Sequence, residues 1–133
     1  MRKTVFITVT FVILMCFTGC LNVRSESYSA VGYVHGNTSK NAYMDFKKFK
    51  GNQVFKLDVE EGDRVHYYAD LEEGSAKVFT RTSDGSKEEW FTVKAGEEVD
   101  SSEDFPEGDL IIEVETDGSC KGGKLKFEIE EML

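Results

Sequence analysis

A short acidic segment holds the densest group of side chains that could do chemistry. Four carboxylates, Asp100, Glu103, Asp104 and Asp109, lie within ten residues of one another. Carboxylate oxygens are preferred ligands of Ca²⁺, so one interpretation is a weak calcium site in a loop between two strands. The ordered Asp-x-Asp-x-Asp-Gly spacing of a calcium loop is missing, and a solvated acidic loop is the plainer interpretation.

The same carboxylates could instead act as acid and base on a glycosidic bond. That chemistry needs two carboxyl groups facing each other about 5 to 9.5 Å apart. Their crowding in one loop disfavours such a pair, so a carboxylate-dependent glycan hydrolase is kept as an alternative hypothesis.

Two aromatic pairs, Tyr67-Tyr68 and Trp90-Phe91, are candidates for stacking on a ligand such as a sugar. Side chains alternate between the two faces of a strand, so one member of each pair should face solvent. The neighbouring valines place Tyr67 and Phe91 inward, which predicts that Tyr68 and Trp90 point outward. Packing in the core is the alternative for each aromatic residue.

Nucleophilic and transition-metal chemistry have little support. The only histidines are His35 and His66, and no Gly-x-Ser-x-Gly motif is present. Cys120 lies far from both histidines and lacks zinc-ligand spacing. We therefore assign no catalytic residue and no cofactor, expect a protein that is not an enzyme, and interpret Cys120 as a surface thiol of unassigned role.

The N-terminus has the anatomy of a secretory signal. Arg2 and Lys3 precede a thirteen-residue apolar run over 5–17. A membrane-spanning helix needs ~20 apolar residues, and polar residues follow this run at once. The pattern predicts a helical signal peptide over 1–19.

Phe17-Thr18-Gly19-Cys20 resembles the lipobox of bacterial lipoprotein precursors. The resemblance implies cleavage between Gly19 and Cys20, diacylglycerol on the Cys20 thiol, and further acyl chains such as palmitate. Phe17 departs from the aliphatic residue usual at that position, which bears on the efficiency of cleavage. Two or more chains anchor a protein stably, since each buried CH₂ adds about 0.8 kcal/mol. We expect a lipid-anchored protein on the extracytoplasmic face of a bacterial membrane.

The charge balance restricts the partners. The chain has 25 acidic and 16 basic residues, a net charge of −9, and removing Arg2 and Lys3 with the leader makes it −11. Nucleic acid should be repelled. The same balance argues against a polybasic membrane patch, so attachment to the membrane is expected through the lipid alone.

The remaining chain divides into a polar tether after the lipidated cysteine, 20–40, and a folded domain, 41–133. Period-two alternation, as at Phe55, Leu57 and Val59, predicts strands throughout the domain. Asp-Gly pairs within 83–86 and 116–119 predict tight hairpin turns. Seven or eight short strands are predicted, typical of an all-β antiparallel β-sandwich or jelly roll.

The body loosely resembles small β-sandwich lipoproteins of Gram-positive bacteria, and the sandwich accessory domains of secreted hydrolases. The leading hypothesis is a non-catalytic module that binds an envelope protein, a glycan or a cell-wall polymer. A third hypothesis is an acidic decoy or immunity lipoprotein that captures a cationic partner, such as an antimicrobial peptide.

Overall fold

The computed structural model describes residues 27–82 and 85–131, and these form an all-β domain. The predicted leader and its lipobox, including Gly19 and Cys20, lie outside the described residues. Within them no helix is present that could cross a membrane. The strands are β1 (Ser27–Val31), β2 (Val34–Asn37), β3 (Asn41–Val59), β4 (Arg64–Glu73), β5 (Ser75–Thr82), β6 (Glu88–Lys94), β7 (Glu98–Asp104) and β8 (Gly108–Glu130).

Two long antiparallel strands organise the molecule. β3 and β8 pair from Asn41 opposite Glu128 to Val59 opposite Gly108, with a register shift between Lys50 and Asn52. Gly51 lies at this shift with φ of 128°, and a Cβ there would meet the Ser27 carbonyl oxygen at 2.2 Å. Only glycine fits both the dihedral angle and the space.

The register shift divides one sheet into two layers. The front layer contains β1 and β2, residues 41–50 of β3, residues 119–130 of β8, β4 and β7. The back layer contains residues 52–59 of β3, residues 108–116 of β8, β5 and β6. Both layers are antiparallel, and the chain passes from front to back between β4 and β5.

The core lies between the layers. Alternating residues of every long strand are buried there, as the period-two pattern predicts. Phe55 of the back layer meets Phe127 of the front layer, with 6.2 Å between ring centroids, and Phe91 stacks on Tyr67 at 4.8 Å. These contacts join the two faces, so the predicted antiparallel β-sandwich is confirmed.

The predicted hairpin turn at 116–119 is wrong. β8 runs through this segment without reversing and pairs with β3 on both sides of it. Gly118, with φ of 77°, bends the strand where the sheet folds over instead of ending it. Turns at Gly62-Asp63 and Lys94-Ala95-Gly96 do connect consecutive strands, as backbone hydrogen bonds from Asp63 to Glu60 and from Glu97 to Lys94 show.

The boundary predicted at residue 41 is also wrong. β1 and β2 both pair with β3, so the described part of the predicted tether belongs to the sheet from Ser27 onward. These strands lie at an edge and leave most of their side chains exposed. A half-solvated edge strand needs few apolar residues, which explains why its composition resembles a linker.

Cys120 is buried, not a surface thiol. Its Sγ donates to the Ser75 carbonyl oxygen at 3.3 Å. Burial raises the pKa of the Cys120 thiol, which keeps it protonated and unreactive. Close packing against the turn at Gly74, where an added Cβ would lie 2.7 Å from the sulfur, is the role that the structure shows for this residue.

Candidate functional site

Two tyrosines, Tyr43 and Tyr68, face away from the core on the outer surface of the front layer. Strand register aligns one residue from each of four strands across this surface, in the order Tyr43, Lys126, Tyr68 and Asp100. These four residues are called the tyrosine row. The two tyrosines sit on β3 and β4, with β8 between them, so their Cα atoms are about 9 to 10 Å apart.

Tyr43 lies flat against the sheet. Gly36 of β2 is its cross-strand partner, and a Cβ added to Gly36 would meet Cε1 of the tyrosine ring at 2.6 Å. One ring face therefore rests on the glycine backbone. The Tyr43 side chain is still 37% exposed, which leaves the opposite ring face available to solvent.

Tyr68 is fixed by a neighbour on its own strand. Its hydroxyl donates to Oδ2 of Asp70 at 2.5 Å. This hydrogen bond, with lesser contributions from desolvation and nearby carboxylates, raises the pKa of Tyr68 to about 12. The ring stays neutral at any ordinary pH, and its oxygen can accept hydrogen bonds from a ligand.

Polar groups surround the two rings. Nε2 of His66 lies 2.6 Å from Oδ1 of Asp100, and Nε of Arg64 lies 3.0 Å from Oδ1 of Asp104. Lys126 forms no ion pair with any described residue, so its ammonium group is available. Two aromatic faces bordered by donors and acceptors can bind a molecule that combines apolar patches with hydroxyl groups.

Trp90 does not point outward as predicted. β5 and β6 pair with Val78 opposite Phe91 and Phe79 opposite Glu89, so Trp90 is the extra residue of a β-bulge. The bulge breaks the alternation and turns the indole inward. Its ring packs 4.5 Å from Tyr67, 5.1 Å from Phe105 and 5.8 Å from Phe127, measured between centroids.

Tyr43 is the residue that sequence analysis missed. It lies between two buried residues, Ala42 and Met44, in the same period-two pattern that identified the other strands. The alternation places Tyr43 outward, so the sequence does contain a signal for its exposure. Tyr68, in contrast, faces outward as predicted.

The four acidic candidates are not brought together. Asp100 and Asp104 lie on the outer side of β7, whereas Glu103 is opposite Val65 on the other side of that strand. Asp109 belongs to the back layer, where its carboxylate lies 3.4 Å from Nζ of Lys56. Among the described residues no group of three or more His, Cys, Asp or Glu side chains could hold a metal ion.

The back layer has a polar cleft of about 690 Å³ at the end where the sheet folds. It is lined by Ser27, Gly51, Asn52, Ser75, Lys77, Glu115, Thr116 and Asp117. Beside it Glu113 is only 3% exposed, accepting from Nδ2 of Asn52 at 3.0 Å and lying 3.2 Å from Nζ of Lys87. This carboxylate is held by the protein's own groups, and no aromatic ring lines the cleft.

Comparison with known proteins gives distant structural likenesses only. No family model matches the chain, and no curated protein matches its sequence. Solved structures similar to it include a mutant of a carbohydrate-binding module of family 29, at 16% identity and a TM-score of 0.41, covering 79% of this chain and 90% of that one.

Two further structures give the same level of likeness. A carbohydrate-binding module solved with β-1,4-galactotriose is 14% identical over 80% of this chain and 88% of its own, with a TM-score of 0.41. Protein NMB1881 from Neisseria meningitidis is 15% identical over 77% and 87%, with a TM-score of 0.37. At these values the likenesses carry no argument about a ligand.

Proposed function

We propose that the protein is a lipid-anchored, non-catalytic module that binds a neutral glycan of the cell envelope through the tyrosine row. The observation that carries this proposal is the pair of outward tyrosines, Tyr43 and Tyr68, one strand apart in the same sheet and each held by a contact within the protein. Ligands bind best to groups that are already ordered, because less conformational entropy is lost on binding.

A sugar ring matches this surface chemically. It has an apolar C–H face that stacks on an aromatic ring and a rim of hydroxyl groups that need donors and acceptors. The tyrosine row supplies two ring faces, with an ammonium group between them and carboxylates at Asp70 and Asp100 beside them. The chain's excess of 25 acidic over 16 basic residues favours a neutral glycan over an anionic one.

The alternative functions have less support. The carboxylates suggested for a hydrolase are distributed over β7 and the back layer and do not face each other across a described pocket. For capture of a cationic partner, two of the β7 carboxylates, Asp100 and Asp104, already lie against His66 and Arg64. A cationic ligand would have to displace these internal partners.

The glycan hypothesis is tested by screening the soluble mature chain with Cys20→Ser on a glycan array, followed by calorimetric titration of the oligosaccharide that binds. We expect Tyr43→Ala and Tyr68→Ala each to weaken binding about tenfold, the loss of one stacking contact of about 1.4 kcal/mol. Tyr28→Ala is the matched control, since Tyr28 is 42% exposed but lies off the row.

Tyr43→Phe should retain most of the affinity because the ring remains. No binding by the wild type, or equal losses in all three alanine variants, would reject the tyrosine row as the binding site. Circular dichroism of each variant identifies any loss that comes from unfolding.

The anchor is tested by mass spectrometry of the membrane-extracted protein beside a Cys20→Ala variant. We expect an N-terminal Cys20 carrying diacylglycerol in the wild type and unmodified, uncleaved or secreted chain in the variant. A wild-type chain that starts elsewhere without lipid would contradict the lipoprotein assignment.

A further inference from the structure

The positive charges of this acidic protein are not spread evenly. Six of the eleven lysines in the described residues lie on β3 and β8 of the front layer, namely Lys47, Lys48, Lys50, Lys121, Lys124 and Lys126. The opposite side of the same layer, β7, carries Glu98, Asp100, Glu103 and Asp104. Net charge alone therefore does not describe this surface.

Four of these lysines form no ion pair with any described residue: Lys126 of the tyrosine row and three neighbours on β3. Lys47, Lys48 and Lys50 are exposed and form no ion pair with any described residue. Across the sheet Lys121 is paired with Glu73 at 3.7 Å and Lys124 with Asp45 at 3.9 Å, which offsets both charges. Three of the four front-layer lysines without an ion pair are thus grouped on residues 47–50 of β3.

An exposed apolar side chain accompanies the free lysines. Val31 of β1 is 58% exposed and is the cross-strand partner of Lys48, on the same outer face. Val34, 59% exposed, follows on β2 opposite Asp45. A surface with apolar side chains bordered by lysines is suited to a membrane interface. There the apolar groups contact the lipid and the lysine ammonium groups meet the headgroups.

A shallow depression lies between these residues. It has a volume of about 300 Å³ and is lined by Ser29, Ala30, Val31, Lys48, Lys50 and Ser119. Two ammonium groups and two hydroxyl groups around one depression are suited to a phosphodiester, which accepts hydrogen bonds and carries negative charge. Asp117, exposed at the nearby bend of β8, and Glu72, whose carboxylate lies over Gly122, are opposing charges at this end.

β1, the first described strand after the proposed anchor, enters the sheet beside this surface. Six residues separate Cys20 from Ser27, so the start of β1 can be at most about 25 Å from the lipidated residue. Ser27 pairs with Asn52, and Ser29 with Lys50, so β1 enters the sheet beside the free lysines. Tethering at this distance gives a high local concentration of membrane, so that even a weak contact is populated.

We propose that Val31, Lys47, Lys48 and Lys50, the lysine surface, dock the domain on anionic phospholipid of the membrane that holds its anchor. This proposal rests on the lipid anchor of the proposed function. Tyr43 lies five residues along β3 from Lys48, about 16 Å away along the strand and on the same outer face.

The test couples the mature chain through Cys20 to a maleimide lipid in vesicles of phosphatidylcholine, with or without phosphatidylglycerol. Cys120 is buried and is not expected to react. The reactivity of each lysine toward an acetylating reagent is measured by mass spectrometry. Lys94 at the end of β6 is exposed and forms no ion pair within residues 27–82 and 85–131, so it is the matched internal control.

We expect Lys47, Lys48 and Lys50 to react roughly fivefold or more slowly on vesicles that contain phosphatidylglycerol, with Lys94 unchanged, and high salt to remove the difference. In the Lys48→Gln/Lys50→Gln variant Lys47 should lose its protection, whereas Lys94→Gln should retain it. Equal reactivity on the two vesicle types, or equal protection of Lys94, would overturn the proposal.

The outcome is separable from that of the proposed function. Chemical coupling at Cys20 does not require the cell to lipidate this residue, and the glycan titration uses soluble protein without vesicles. Protected lysines with an unlipidated native chain would reject the anchor while retaining an anion-binding surface. An anchored chain with equally reactive lysines would retain the anchor and reject docking.

Discussion

The two layers differ in whether the polar and aromatic groups on their outer faces have partners within the protein. On the back layer Phe79 lies under Lys87, whose Nζ is 4.3 Å from the ring centroid, and the same lysine pairs with the buried Glu113. On the front layer Tyr43 leaves a ring face open, and Lys126 has no carboxylate partner in the described part of the chain. A face whose groups satisfy one another stabilises the fold, whereas a face that leaves them open is suited to a ligand.

The largest expected effect contrasts the two aromatic residues that sequence analysis placed on the surface. Trp90→Ala removes an indole packed among Tyr67, Phe105 and Phe127, so we expect the free energy of unfolding to fall by about 3 kcal/mol. Tyr68→Ala on the outer face should cost under about 1 kcal/mol. Urea denaturation measures both, and equal costs would show that the bulge does not turn Trp90 inward.

A smaller effect compares the two lysines that characterise the faces. Lys87→Ala leaves the carboxylate of Glu113 without its ammonium partner in a nearly buried site, and should lower the free energy of unfolding by about 2 kcal/mol. Lys126→Ala, with no ion pair to lose, should change it by at most about 0.5 kcal/mol. Urea denaturation measures both free energies of unfolding. A larger loss in Lys126→Ala than in Lys87→Ala would contradict the contrast between the faces.

The smallest effect concerns the pH dependence of the front face. Because the folded pKa of Tyr68 is about 12, above the 10.0 of an ordinary tyrosine, its hydrogen bond stabilises the fold fully below pH 10 and this contribution is lost as the pH rises from 10 to 12. The alkaline absorbance titration of the wild type should contain a late component that Tyr68→Phe removes. Asp70→Asn should shift that component toward pH 10. An unchanged titration midpoint would exclude Asp70 as the cause of the raised pKa of Tyr68.

Much of the fold follows from local pattern. Residues such as Phe55, Leu57 and Val65 alternate with polar neighbours, and each is buried as the alternation requires. Pattern fails where the backbone departs from regular pleating. The bulge at Trp90 turns this side chain toward the core, against the alternation. Gly118 bends β8 at an Asp-Gly pair, a dipeptide that is typical of tight hairpin turns.

The candidate site was only half predictable for a related reason. Tyr68 was placed outward by its own strand, but the tyrosine row exists because β8 comes between β3 and β4, and strand order has no local signal. The distribution of charge over the surface also depends on strand order. A total of −9 conceals the separation of free lysines on β3 from carboxylates on β7, because the arrangement depends on which strands are neighbours.

The central place of β8 has a consequence for folding during the export that the proposed anchor requires. β8 is the last of the described strands, and it pairs with β3, β4 and β5, so neither layer can assemble before residues 108–130 are available. Contacts between such distant parts of a sequence form slowly. If the chain is exported as the proposed anchor requires, a C-terminal strand still on the inner side leaves no complete sheet to obstruct its passage. Folding would then follow translocation, beside the membrane that is proposed to hold the N-terminus.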